Sequence, residues 1–238
     1  MLCMVGALLC FGIVQGRPTC LLRAILGNME RSVYNGVMDR HSNPAPMDQT
    51  KLSARERILR TAHVLFYREG IRSTGVDRII AEAGVTKMTF YRHYPSKNDL
   101  IVAFLDYRHR IWMSWFQDAL QRHGNSPLAI APVLQEWFTD PAFRGCAFIN
   151  ALGEVGPSMP GVVQRVIQHK AKLRNVIEGL LPNDCERKTL ASAIAMAIDG
   201  AVVRAEWGEP AEAVDGFNRL VEGVLCLKGK ANPKNYLV

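Results

Sequence analysis

The sequence predicts an all-α protein, with a small three-helix unit near the N-terminus followed by a larger helical body. Three observations carry this. From Ser53 onward, apolar residues recur at three- and four-residue spacing, the period of a helix that buries one face. The interruptions are short and made of helix-ending residues: Gly70, Gly84, Pro95, Gly124-Asn125-Ser126-Pro127, Pro182 and Gly208-Glu209-Pro210. Charge is unevenly divided along the chain as well. Residues 47–105 hold ten basic against six acidic side chains, whereas residues 106–238 are nearly balanced at fifteen against fourteen. A small basic module on a near-neutral body fits an anion-binding head, although a basic solvated surface would look the same. With 238 residues, 48% of them apolar, the chain has enough material for a real core.

Residues 1–46 stand apart. The apolar run Leu2–Val14 is about 13 residues, short of the ~18 that a membrane span needs. No basic residue precedes it and no clear small-x-small cleavage site follows. Ser42-Asn43-Pro44-Ala45-Pro46 breaks the chain, and Met47 offers a start six residues before the first helix signal. The expectation for 1–46 is a disordered or mis-assigned extension, set against a signal or membrane anchor. The six cysteines form no framework. Cys3, Cys10 and Cys20 cluster at the start, while Cys146, Cys185 and Cys226 are separated by spacings that match no metal or redox pair. A reducing, cytoplasmic compartment fits, and no cofactor or metal is implied.

The first helix opens at a capping box, Ser53-Ala54-Arg55-Glu56, in which Ser53 and Glu56 each satisfy a backbone N–H of the other. Ile58, Leu59, Ala62, Leu65 and Phe66 form its buried face, and Gly70 stops it. Val76, Ile79, Ile80 and Ala83 mark a short second helix ended by Gly84. Thr86 caps a third helix from Lys87 to Tyr94, in which Phe90 and Tyr94 share the core side. Helix, glycine turn, helix is the helix-turn-helix arrangement, in which two helices brace a third that presents donors and acceptors to a DNA major groove. Lys87 and Lys97 suit phosphates. Thr89, Tyr91, Arg92 and His93 suit base edges or the sugar-phosphate backbone.

The stretch "ILRTAHVLFYREGIRSTGVDRIIAEAGVTKMTFYRHYPSKNDLIVAFL" resembles the DNA-binding domain of the tetracycline-repressor (TetR/AcrR-like) family. The match runs through Phe66 and Gly70, Thr74, Ile79, Ala83-Gly84-Val85, Thr86-Lys87, Phe90-Tyr91, His93-Tyr94 and Pro95-Ser96-Lys97. The resemblance implies a helix-turn-helix DNA-binding domain over 47–97 and a ligand-binding and dimerisation domain over 98–238. It places Thr74, Thr86, Lys87, Thr89, Tyr91, Arg92, His93 and Lys97 where family members contact DNA. Two positions depart from the family pattern: Ile80 where a small residue is frequent, and Met88 where glycine is frequent.

In the body, Leu100, Ile101, Phe104, Arg108, Ile111, Trp112, Trp115, Phe116, Ala119 and Leu120 follow one helical stripe, giving a long fourth helix that links head to body. Further helices are expected over 128–139, from about Cys146 to Val155, over 162–181, from Asp184 to about Trp207, and from Pro210 to about Leu227. Arg144-Gly145-Cys146-Ala147-Phe148-Ile149-Asn150-Ala151 resembles an element that lines the interior in one group of these proteins. The last two helices are rich in small residues: Ala191, Ala193, Ala195, Ala197, Gly200 and Ala201, then Ala213 and Gly216. By resemblance they form a four-helix homodimer interface; tight packing within one chain is the other explanation.

Trp112, Trp115, Phe116, Trp137, Phe138, Phe143, Phe148 and Met196 could wall a hydrophobic pocket or simply fill the core. The expected effector contacts are Trp112, Phe116, Cys146, Asn150, Glu154 and His169. The function implied is sequence-specific transcriptional regulation, as a repressor released from a palindromic double-stranded DNA operator by an unidentified small molecule. The alternatives are a thiol sensor working through Cys146, with Arg144 nearby; a membrane-tethered regulator; and an enzyme. An enzyme is not expected, because Cys146 and His169 are the only pair to consider and they lack an orienting third group.

Overall fold

The computed structural model describes residues 52–230, so the expectations for 1–46 and its three cysteines lie outside the described residues. Among the described residues the secondary structure is helical. The head comprises α1 (Ala54–Glu69), α2 (Val76–Ala83) and α3 (Lys87–His93). The linking helix α4 (Lys97–Arg122) leads to α5 (Ile130–Phe138), α6 (Ala147–Val155), α7 (Pro160–Leu180), α8 (Arg187–Trp207) and α9 (Pro210–Lys230).

Local chemistry fixes each boundary in the head. The Ser53–Glu56 capping box forms as its residues demand, with the Glu56 N–H donating to Ser53 Oγ at 3.3 Å and the Ser53 N–H to Glu56 Oε2 at 3.1 Å. At the end of α2, Gly84 takes the left-handed conformation (φ 61°). The Val85 N–H then reaches Ile80 O and the Gly84 N–H reaches Ala81 O, the paired bonds of a Schellman motif. This explains the departure at Ile80. Ile80 and Val85 occupy the two positions whose apolar contact accompanies that motif, and both pack against the core. Thr86 caps α3 by accepting from the Thr89 N–H at 3.2 Å, and Ser96 caps α4 by accepting from the Asp99 N–H.

One apolar core runs from the head into the body. Phe66, Phe90 and Tyr94 anchor the head, and Phe104 on α4 meets Phe66 edge-on at 5.4 Å. At ~1.5 Å per residue, α4 spans about 39 Å and serves as the rod on which both halves pack. Its inward face is the expected stripe, Leu100 to Leu120, and Arg108 is buried within it.

The rings of the body form a continuous stack. Trp112 lies parallel to Phe116 at 4.9 Å and meets Trp137 and His169, and His169 stacks on Phe148 at 3.7 Å. Trp112, Phe116 and His169 are therefore core in this structure. Met196 departs from the expected pocket wall: it is 74% exposed on the outer face of α8.

Candidate nucleic-acid interface and effector site

Helix α3 is held from one side only. Phe90 is fully buried and Tyr94, at its C-terminal cap, is nearly so, with the Tyr94 hydroxyl donating to Arg55 O. The opposite face carries Lys87, Met88, Tyr91 and Arg92, all exposed, with Thr89 and His93 half-buried at its edges and Thr86 at its start. Six of the eight expected DNA-facing residues thus fall together on or beside one helix face. Tyr91 presents 43% of its surface, and Met88, at 81%, is the most exposed large apolar side chain among the described residues.

The other two take different places. The Thr74 side chain is fully buried, and its hydroxyl donates to Gly70 O at 2.7 Å, closing the turn after α1. Lys97 points inward, where its ammonium donates to Ile71 O at 2.6 Å and burial lowers its pKa. Both hold the loop between α1 and α2 in shape, and neither hydroxyl nor ammonium faces outward. Short polar side chains beside a tight turn find backbone acceptors locally, and sequence register alone does not reveal that.

Head and body meet along a seam that the sequence did not single out. The Tyr67 hydroxyl on α1 donates to Gly145 O at 2.9 Å and accepts from the Arg144 N–H at 3.1 Å. Burial raises its pKa, keeping the proton that this bond uses. Gly145 has φ 72°, and a Cβ there would meet the Glu206 carboxylate, so glycine alone fits this clamp. Glu154 on α6 accepts from the Arg72 N–H at 2.9 Å. A cavity of about 170 Å3 opens along this seam, walled by Phe66, Tyr67 and Phe104 on one side and by Ala147, Asn150 and Glu154 on the other. Of the expected effector contacts, Asn150 and Glu154 reach this cavity.

Cys146 is the N-cap of α6 and is buried. Arg144 does not serve it, since its guanidinium donates to Pro141 O and Phe143 O instead. Lys170 on α7 takes that place, with Nζ 3.7 Å from Cys146 Sγ and also paired with Asp199. His169 has its pKa pushed down to about 2 by burial and nearby cations, and its Nδ1 lies 3.0 Å from His109 Nδ1. It is a neutral core group with no general-base geometry toward Cys146. Among the described residues no group of three His, Cys, Asp or Glu side chains could hold a metal, and no helix is long and apolar enough to cross a membrane.

On α8, Met196, Gly200, Val203 and Trp207 fall at four-, three- and four-residue spacing, and all are exposed. Gly216, Leu220 and Gly223 repeat the pattern on α9. Several of the small residues expected at an interface lie inside instead: Ala191, Ala201 and Ala213 are buried against their own chain.

Residues 58–104 match the model of the bacterial regulatory proteins of the tetR family. The chain is 34% identical to SCO4454, a TetR-family transcriptional regulator from Streptomyces coelicolor. That likeness covers 73% of this chain and 94% of the other, with a TM-score of 0.64. A putative TetR-type regulator from Streptomyces avermitilis is 26% identical, with 76% and 99% covered and a TM-score of 0.60. An uncharacterised helix-turn-helix regulator encoded in the lacX 3′ region of Lactococcus lactis is 27% identical over 108 residues, 43% of this chain and 55% of that one. The chain thus spans about half the length of that curated relative, and less of the next ones. With the matched head, the likeness to the S. coelicolor regulator over 73% of this chain and the helical architecture of the described residues agreeing, the protein belongs to the TetR family of bacterial transcriptional regulators.

Proposed function

We propose that the protein is a cytoplasmic, homodimeric repressor that binds a palindromic double-stranded DNA operator through α3 and is released by a small molecule bound in the body. The carrying observation is the one-sided anchoring of α3, with two aromatic residues fixed in the core and Lys87, Tyr91 and Arg92 exposed on the outer face, Lys87 in an exposed ion pair with Asp77 at 3.8 Å. In the complex, Lys87 pairs with phosphate, while Tyr91, Arg92, Thr89 and His93 read the groove and Thr86 lies against the backbone. Thr74 and Lys97 position the loop. The DNA contact at Thr74 passes to the N–H groups of the first turn of α2, whose N-cap Gly75 offers no side chain to them.

The exposed stripes on α8 and α9 pair with those of a second copy. Two recognition helices then lie about 34–36 Å apart, one turn of DNA. The test is fluorescence anisotropy of the full chain on its own upstream DNA against scrambled DNA across a salt series. Sequence-selective binding that weakens steeply with salt is expected; equal binding to both DNAs, or none, removes the proposal.

A second mode of control draws on the Cys146 sulfur, 3.7 Å from the Lys170 ammonium, as the site an electrophile would modify. Under native conditions, iodoacetamide should then label Cys146 ahead of the exposed Cys185 and Cys226. Labelling of Cys146 only after unfolding would exclude it.

A further inference from the structure

Arg108 is 2% exposed, and among the described residues it has no carboxylate partner. Its Nη1 lies 3.5 Å from His63 Nε2, its Cζ lies 4.0 Å from the centroid of the Tyr67 ring, and its Nη2 has no hydrogen-bond partner. An arginine does not lose its proton on burial, so this is a full positive charge inside the protein. Such a charge is costly to bury without an anion, and a ring face with one neutral nitrogen compensates it only partly.

The surroundings are short of acceptors too. Guanidinium nitrogens only donate, so His63 Nε2 must be the acceptor and the His63 proton sits on Nδ1. Burial and the neighbouring arginines lower the His63 pKa, in keeping with a neutral ring. His63 Nδ1 is itself buried with no partner, and so is Trp112 Nε1, one turn along α4 from Arg108. The Tyr107 hydroxyl, on a ring 5.1 Å from His63, is also buried without a partner; it can donate or accept but carries no charge. Among the described residues the Arg108 charge is therefore left without an anion.

Tyr67 and Phe104 belong to the wall of the seam cavity; Arg108 does not, but its guanidinium lies against the Tyr67 ring. The volume, about 170 Å3, compares with the ~150 Å3 apolar cavity that holds benzene in an engineered lysozyme. The cavity lining includes Arg68 and Arg144 beside Glu154 and Glu206, two charges of each sign, so the interior charge decides what is attracted. We propose that this cavity takes a small organic monocarboxylate whose flat or short apolar body lies against Phe66 and Phe104 and whose carboxylate pairs with Arg108. A bidentate pair would satisfy Nη2. To reach Arg108 the carboxylate must push aside the Tyr67 ring, and that ring carries the hydroxyl clamped to Gly145 and Arg144. Ligand entry would then break a head–body contact, giving the two states the different ligand affinities that release from DNA requires.

This rests on the proposal that a small molecule releases the protein from DNA, places its site at the head–body seam, and has a test that needs no DNA. Thermal unfolding of the full chain is followed with millimolar benzoate, salicylate or hexanoate, and with the neutral benzamide and hexanamide as matched controls. At least one carboxylate should raise Tm by about 2 °C or more, with no response to its amide. Arg108→Met should lose that response while the ligand-free variant melts no lower than the parent, because an uncompensated charge has been removed. No shift with any carboxylate overturns the proposal. Equal shifts with acid and amide, or a response that survives in Arg108→Met, overturn the assignment of Arg108. Operator binding, measured separately without ligand, can fail or hold independently of these results.

Discussion

Helices α3 and α4 handle their cations in opposite ways. On α3, Lys87 and Arg92 stand in solvent, and the helix is secured beneath them by Phe90 and Tyr94. On α4, Arg108 is turned into the core between His63 and Tyr67 and meets no acid among the described residues. Water, and for Lys87 the exposed Asp77 carboxylate at 3.8 Å, completes the first pair until a phosphate replaces them at little cost. Among the described residues Arg108 has only the His63 nitrogen and the Tyr67 ring face. A solvated cation is thus suited to a large partner that arrives from outside, and a buried, uncompensated one to a small partner that enters.

The sharpest way to break the comparison is to exchange adjacent residues of α3. Phe90→Ala should cost about 3–5 kcal/mol of folding stability, visible in the urea midpoint, because it empties a fully buried site. Tyr91→Ala should change stability by no more than about 0.5 kcal/mol yet weaken operator binding. A similar stability loss in both would mean that α3 is not anchored from one side. The outer stripe of α8 comes next. Trp207→Glu with Met196→Glu should convert a dimer to a monomer in sedimentation equilibrium, at a cost of about 2 kcal/mol or more in association. A chain already monomeric before mutation would refute the interface.

Protonation probes the buried side of the comparison. His63, His109 and His169 all have lowered pKa values, mainly from burial, so each is neutral in the fold. Below pH 6.5 the unfolded chain takes up these protons first. Stability is therefore complete above that pH and falls as pH drops, with a slope of up to about 1.4 kcal/mol per pH unit for each group. Tm measured from pH 7.5 to 5 should decline, and His169→Phe should make the decline shallower; an unchanged slope would show that His169 does not contribute. The smallest effect belongs to the seam. Tyr67→Phe removes two hydrogen bonds and should cost about 1 kcal/mol, with faster amide exchange at Gly145. Unaltered exchange there would mean that the clamp does not hold the loop.

Much of the head was legible because its information is local. A capping box, a glycine that must adopt positive φ, and a threonine cap each act within four residues, and all formed where the sequence placed them. Phe90 and Tyr94 were correctly assigned to the core by their spacing. Thr74 and Lys97 were not foreseen as inward, because their acceptors are carbonyls exposed by a turn of a particular shape. Tyr67 was missed because its partners lie 77 and 78 residues away. Arg108 did leave a signal, as a charged residue at a core register of the α4 stripe, but only burial turned that irregularity into a site.

The sequence by itself determined the helices, their ends and which face of α3 is polar, since periodicity and caps are properties of a short segment. The tertiary structure alone decided which polar groups are satisfied. It turned Thr74 and Lys97 inward, set Lys170 rather than Arg144 beside Cys146, left Met196 outside, and buried Arg108 with no acid beside it among the described residues. The physical reason is that a hydrogen bond or charge pair is settled by whatever packing brings within about 3 Å, and those neighbours come from helices distant along the chain.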